Sequence, residues 1–480
     1  MSIIAPAPGG EAVVPLGPLD RGHYVARARP RQGAFVGDWA EAGLYLPEFV
    51  PPDATMRQDL LAELAYAEPA GLGAGGEIST PWATLALART SVRWGRDEAG
   101  DLVQLAAHAF AREHDEVGSP LGLRIEPALT YQRVNNALAG AVPGSPGTVP
   151  TGWAAPAPAG LTRTLIVDEV AGVPRIGFRY VGAPASDFQC IIQMLPSLTL
   201  PAAAGEVWTA GLYLAGSGTG LGQLGWGIWE TDGANALMHS TNVAAALPAA
   251  WALREKTYTV GAATAYQRLL VYTGIIAAGT VCDFTIYVGG AAFVAASYLP
   301  SLYLLGTSPE TRAGDVVYTP GGASWFNQAA GTVVVDLDYL GGGVVPFGIA
   351  CPVGGAYSFD NTLYVSANTS LSLMSLVVRA SGVQATPSTM SRPWSFGAGP
   401  RMLAFTWGAG NRLRFVTTGQ AVTQQTATAL PPLSSEFRIG GSTWNPPSGS
   451  DSNRAAMLVR ALDFYPHDNF DDAALQGLVA

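Results

Sequence analysis

From about residue 85 onward, apolar and polar positions alternate with a period of two, in short runs broken by Gly, Pro, Asn and Ser. Leu161-Thr-Arg-Thr-Leu-Ile-Val167, Arg175-Ile-Gly-Phe-Arg-Tyr180, Glu206-Val-Trp-Thr-Ala-Gly-Leu-Tyr-Leu214, Tyr266-Gln-Arg-Leu-Leu-Val-Tyr272 and Val281-Cys-Asp-Phe-Thr-Ile-Tyr287 all have this form. In a strand, successive side chains point to opposite faces, so each run predicts a half-buried strand. Turn signals recur roughly every 8–20 residues, the rhythm of an all-β sandwich. The pattern continues through Gly331-Thr-Val-Val-Val-Asp-Leu-Asp-Tyr339, Leu371-Ser-Leu-Met-Ser-Leu-Val-Val-Arg379 and Ala455-Ala-Met-Leu-Val-Arg-Ala-Leu-Asp-Phe-Tyr465. The predicted class is all-β, with tandem β-sandwich domains behind a mostly irregular N-terminal segment.

One helical stripe interrupts that reading. Met56, Leu60, Leu61 and Leu64 lie on one face of 54–67, Asp53 supplies a cap, and Glu68-Pro69 stops the run. A helix this short is marginal alone, so its Met56, Leu60 and Leu64 face predicts a partner surface. Arg27, Arg29 and Arg31 add local positive charge, a solvated loop or an anchor to a larger assembly. Gly71-Leu-Gly-Ala-Gly-Gly76 and the Pro/Gly/Ala-rich stretch 140–160 read as linkers. The implied organisation is a particle-attachment segment (1–80), a β connector (81–150), a first sandwich (151–310) and a second (311–480). Gly71–Gly76 and Gly220-Leu-Gly-Gln-Leu-Gly225 both fit G-x-G-x-x-G, but neither opens a helix, so a dinucleotide site is not indicated.

Composition narrows the class. At 480 residues the chain exceeds one core. It is 48% hydrophobic but only 13% charged, yet no stretch of about 18 residues is uninterrupted by Gly, Pro, Ser or a charge. The reading is therefore soluble, with no membrane partner. Lys256 is the single Lys, and a net charge of −10 leaves no basic patch for phosphate neutralisation, so nucleic acid is not expected. Cys190, Cys282 and Cys351 are too few and too scattered for a disulfide framework or metal spacing and read as buried thiols. The N-terminus has neither basic region nor apolar core, so no secretory signal is read.

The order of the C-terminal runs resembles the concanavalin A-like (laminin G-type) jelly roll. Phe437-Arg-Ile-Gly-Gly441 stands for that family's "leucine-x-isoleucine-glycine" strand, and Pro466-His-Asp-Asn-Phe-Asp-Asp-Ala-Ala-Leu-Gln-Gly-Leu478 for its terminal tail. Further upstream, Leu87-Ala-Arg-Thr-Ser-Val-Arg-Trp94, Gly118-Ser-Pro-Leu-Gly-Leu-Arg-Ile-Glu-Pro-Ala128 and Tyr131-Gln-Arg-Val-Asn-Asn136 are similar to a segment of fibre and spike proteins of tailed phages and gene transfer agents. Arg124 and Glu126 there read as surface partners. Residues 161–300 resemble carbohydrate-binding-module-like jelly rolls, best at Gly205-Glu-Val-Trp-Thr-Ala-Gly-Leu-Tyr213. These resemblances imply a virion component, a phage fibre or head spike for host attachment. It would be made in the bacterial cytoplasm, displayed on the particle surface, and assembled as a homotrimer with capsid or tail proteins.

Chemical signatures are thin. His23, His108, His114, His239 and His467 lack zinc spacing, no G-x-S-x-G elbow occurs, and no cofactor is expected. Asp336 and Asp338 share a strand face where a glycosidase pair could sit. Asp471 and Asp472 fit the first turn of a terminal helix better. Trp208 and Trp407 lie inside strands and read as core. The loop groups Trp325/Asn327, Arg392/Trp394 and Trp444/Asn445 read as candidates for stacking and hydrogen-bonding the host's surface polysaccharide. The alternatives are a tailspike-like depolymerase and a purely architectural baseplate or capsid protein.

Overall fold

The computed structural model describes residues 84–480 with short gaps, the longest at 351–360 and 441–454, and of residues 1–83 the strands alone. The chain divides into two compact units, Met1–Thr55 and Met56–Ala480. The first carries three two-stranded antiparallel ladders: Ser2–Ala7 with Gly10–Pro15, His23–Ala28 with Ala40–Tyr45, and Arg31–Gln32 with Phe35–Val36.

The second unit is a pair of β-sandwiches, and the alternation read in the sequence is what builds them. In the first, Leu161–Val170, Val173–Gly182, Cys282–Val294, Val207–Thr219 and Ala249–Thr259 lie in one antiparallel sheet. It faces a sheet of Phe188–Gln193, Tyr266–Ile276, Leu224–Thr231 and Leu237–Ala245. Phe284, Ile286 and Val288 point inward on one strand against Trp226 and Ile228 of the facing sheet, all nearly inaccessible. Cys190 and Cys282 are buried free thiols there, and Trp208 is core. Cys351 lies outside the described residues.

The second sandwich sets Ala455–Tyr465, Gly331–Gly342, Arg401–Gly408 and Arg412–Thr417 against Leu373–Ala380, Thr362–Asn368, Phe347–Ala350 and Phe437–Ile439. Val333, Val335 and Leu337 alternate into its core with Phe405, Phe464 and Trp407. The closing strand Ala455–Tyr465 leads to a helix, Asp472–Gly477, capped by the Asp471 carboxylate, which accepts the Ala474 N–H at 2.7 Å.

Two sequence expectations change. Met56–Asp59 is a strand paired with Phe464–Ala461, not the start of a helix. Backbone pairing along an open sheet edge outweighs a helical propensity worth only tenths of a kcal/mol per residue. Leu60 and Leu64 lie outside the described residues. The segment read as a connector is shared out between the two sandwiches. Thr84–Ala88 and Pro120–Ile125 pair within the C-terminal one, and Leu129–Tyr131 joins the first.

Candidate functional site

Of the loop residues expected to stack or hydrogen-bond a sugar, Trp394, Arg392 and Asn327 are among the described residues. Trp394, just past the strand Val383–Pro393, is only 3% exposed and belongs to the C-terminal core, its N–H donating to the Ser372 carbonyl at 2.8 Å. Pro393 and Ser395 give it loop-like neighbours, but the chain turns inward at the strand end, so the indole offers no face to a ligand. Half-buried Arg392 lies within that strand, opposite Met374. Asn327 is a structural anchor: its Nδ2 donates to the Pro466 carbonyl at 2.6 Å and its Oδ1 accepts the Ala329 N–H at 3.0 Å. Trp325, Trp444 and Asn445 lie outside the described residues. Of the acid pair, Asp336 meets Arg460 at 3.5 Å, and burial pushes the Asp338 carboxyl up.

Arg124 and Glu126, read as surface partners, belong instead to a buried ionic cluster where the two sandwiches join. Glu126 is fully buried and receives Arg124 Nε at 2.8 Å, an Arg312 guanidinium nitrogen at 3.1 Å, and the Ser301 N–H and hydroxyl at 2.7 Å each. Asp315 accepts from Arg89 at 2.9 Å, from Arg312 at 3.1 Å and from the Glu126 N–H at 2.9 Å. Arg93 pairs with Glu113 at 2.5 Å. Burial alone would push the Glu126 carboxyl up. The adjacent Arg124 and Arg312 guanidiniums outweigh it and hold the group well below the usual carboxylate range. Asp315 is likewise depressed: Arg312, Arg93 and Arg89 overcome its burial.

Adjoining the cluster is a cleft of about 440 Å³ between two hairpins and an edge of the first sandwich. Strand Arg93–Arg96 sends Arg93 and Gly95 inward and half-buried Trp94 and Arg96 to the other side. The hairpin tips at Asp97 and Asp115 are closed alike. Each Oδ1 accepts two backbone N–H groups, Ala99 and Asp101 in one and Val117 and Ser119 in the other. The tips pack backbone to backbone: Gly118 has φ of 83°, and a Cβ there would lie 2.2 Å from the Glu98 carbonyl oxygen.

Across the cleft, Arg96 donates to the Tyr213 hydroxyl at 2.6 Å, with its guanidinium carbon 5.8 Å from the ring centre and Glu116 at 3.8 Å. Burial pushes the Tyr213 phenol up to about 12, so it stays a neutral donor. The His114 Nδ1–H donates to the Arg96 carbonyl at 3.1 Å. Tyr298 is 5% exposed and lines the cleft, and among the described residues its hydroxyl has no hydrogen-bond partner. Aromatic side chains beside a ring of donors and acceptors suit a polyhydroxylated ligand. Among the described residues no His, Cys, Asp and Glu cluster could hold a metal ion.

Trp94 and Arg96 stand at i, i+2 and so share a face of the strand Arg93–Arg96, but the sequence reading singled out neither. Tyr213, 117 residues beyond Arg96, was read only as part of the predicted strand Glu206–Leu214, and nothing local ties the two together.

No family model matches the chain, and no curated protein matches it. Among solved structures, it is similar to the Ruminococcus gnavus IT-sialidase CBM40 bound to α2,3-sialyllactose, with 11% identity and a TM-score of 0.26 over 32% of this chain and 84% of that one. It is also similar to the N-terminal CBM22-1–CBM22-2 tandem domain of Paenibacillus barcinonensis Xyn10C, with 8% identity and a TM-score of 0.21 over 71% of this chain and 98% of that one. At that level of similarity neither bears on function.

Proposed function

We propose that this chain is a glycan-binding structural protein of a virus-like particle, a fibre or spike that holds a host's surface polysaccharide in the cleft between its hairpins and first sandwich. The observation that carries the binding reading is the cleft itself, about 440 Å³ and lined by Trp94, Arg96, Tyr213 and Glu116. Glu113 and Glu116 are each drawn to an arginine, Arg93 and Arg96, which favours binding over proton transfer to a glycosidic oxygen. The particle assignment rests on the sequence resemblance to fibre and spike proteins, and with it the homotrimeric assembly.

The decisive variant is Arg96→Ala, which removes a guanidinium that lines the cleft. Binding of the full chain to extracted host surface polysaccharide should weaken roughly tenfold, while the melting temperature falls by no more than a few degrees. Unchanged binding would remove the cleft from the reading, and release of reducing ends from the polysaccharide would replace a binder by a depolymerase.

A further inference from the structure

We infer that the binding track continues out of the cleft across the outer face of the first sandwich, so that the ligand is an extended glycan chain rather than a single terminal sugar. This rests on the reading of the cleft as a sugar site. Tyr213 belongs to both places: it lines the cleft, and its ring stacks on Trp251 at 5.4 Å with an interplanar angle of 23°. The Arg175 guanidinium follows, 5.5 Å from the Trp251 ring and 4.2 Å from that of Tyr287. Tyr213, Trp251, Arg175 and Tyr287 thus form one row over four adjacent strands, Ala249–Thr259, Val207–Thr219, Cys282–Val294 and Val173–Gly182. Because Trp251 reaches over Gly289 and Tyr287 over Gly177, the row covers at most two strand steps, about 10 Å, still more than one sugar ring occupies.

The rings are laid down on the sheet. A Cβ on Gly177 would come within 2.7 Å of Tyr287 Cε1, and one on Gly289 within 3.0 Å of Trp251 Cη2. Glycine at those two positions lets an indole and a phenol lie close over backbone. Arg175 is fixed before any ligand arrives, since its Nε and an NH2 group donate to the two Asp168 oxygens at 2.7 and 2.6 Å. Two residues beyond Gly177 on the same face, Arg179 makes a second bidentate pair with Asp283 at 2.9 Å. With Tyr213 buried against Trp251 and Arg175 lying over Tyr287, the row presents ring edges beside ordered guanidinium and carboxylate groups, which offer C–H contacts and hydroxyl partners to a sugar. Trp251 and Tyr287 are half-buried.

The test is a length series. Surface polysaccharide from the bound host would be cut by mild acid into fragments of one to about eight sugars and titrated against the full chain. Affinity should rise with length, by about tenfold or more between one or two sugars and six. Trp251→Ala and Tyr287→Ala should each remove most of that gain and leave short-fragment binding unchanged. Should Trp251→Ala unfold the sandwich, Tyr287→Ala decides alone, because its ring rests on the sheet surface. Affinity independent of length, or variants that keep the full gain, would overturn the extended track while leaving the cleft intact. A wild-type chain that binds neither fragments nor intact polysaccharide overturns both.

Discussion

Glu126 shows how much one residue carries here. Its carboxylate satisfies two guanidiniums and a serine while buried, so removing its charge strands cations that cannot reach water. Breaking a buried pair from one side costs about 3–5 kcal/mol, and Glu126→Gln should lower stability by roughly that amount in denaturant titration. The pH dependence has a definite sign. Glu126 and Asp315 are both depressed in the folded state, so their contribution is complete above the ordinary carboxylate range near pH 4 and is lost as pH falls toward the depressed values. The melting temperature should be flat from about pH 7 to 5 and fall below about pH 4, more steeply in wild type than in Glu126→Gln. Equal acid slopes would place the acid sensitivity elsewhere. Trp394 carries the opposite lesson: its polar sequence neighbours were visible, but its inward turn into the core was not.

Among elements, the terminal helix is the one whose local signals agree with its tertiary setting. Asp471 caps it, Asp472 adds negative charge to the first turn, and Leu475 is buried. Arg414 donates to the Phe470 and Asp468 carbonyls and ties the helix approach to the sheet. Asp471→Ala should cost about 1 kcal/mol, and Asp471→Asn much less, because the amide oxygen can still accept from Ala474. A null effect of the alanine variant would mean that Leu475 and Arg414 alone hold the helix. The strand Met56–Asp59 behaves in the other way. Its spacing favours a helix, and only the free edge of Ala455–Tyr465 makes it a strand.

At the scale of the whole molecule, the compact unit begins at Met56, not at the Gly-rich stretch after residue 70. Deleting residues 1–55 should therefore leave the calorimetric transition of the remainder unchanged. Deleting 1–80 also removes Met56–Asp59 and Glu77–Ser79 from sheet edges. The longer deletion should melt several degrees lower and associate in light scattering, since bared edges pair with other chains. Identical melting of the two truncations would show that neither edge strand contributes. The two sandwiches are joined by the segment 84–131, whose strands are divided between them, and by the ionic cluster, so calorimetry should show one unfolding transition rather than two.

The all-β class, the strand alternation, the capped terminal helix and the core roles of Trp208 and Trp407 were all in the sequence, because each depends on neighbours two to four residues away. Trp94 beside Arg96, and Arg124 beside Glu126, were visible as patterns, but their setting was not. Whether a strand's polar face meets water, a partner sheet or another charge is decided by chain that returns from far away. Glu126 meets Arg312 and Ser301, Arg96 meets Tyr213, and Tyr287 lies over Gly177. Local periodicity sets which way a side chain points. Only the packing of distant strands decides what it points at, and with it the cleft, the aromatic row and the buried charges.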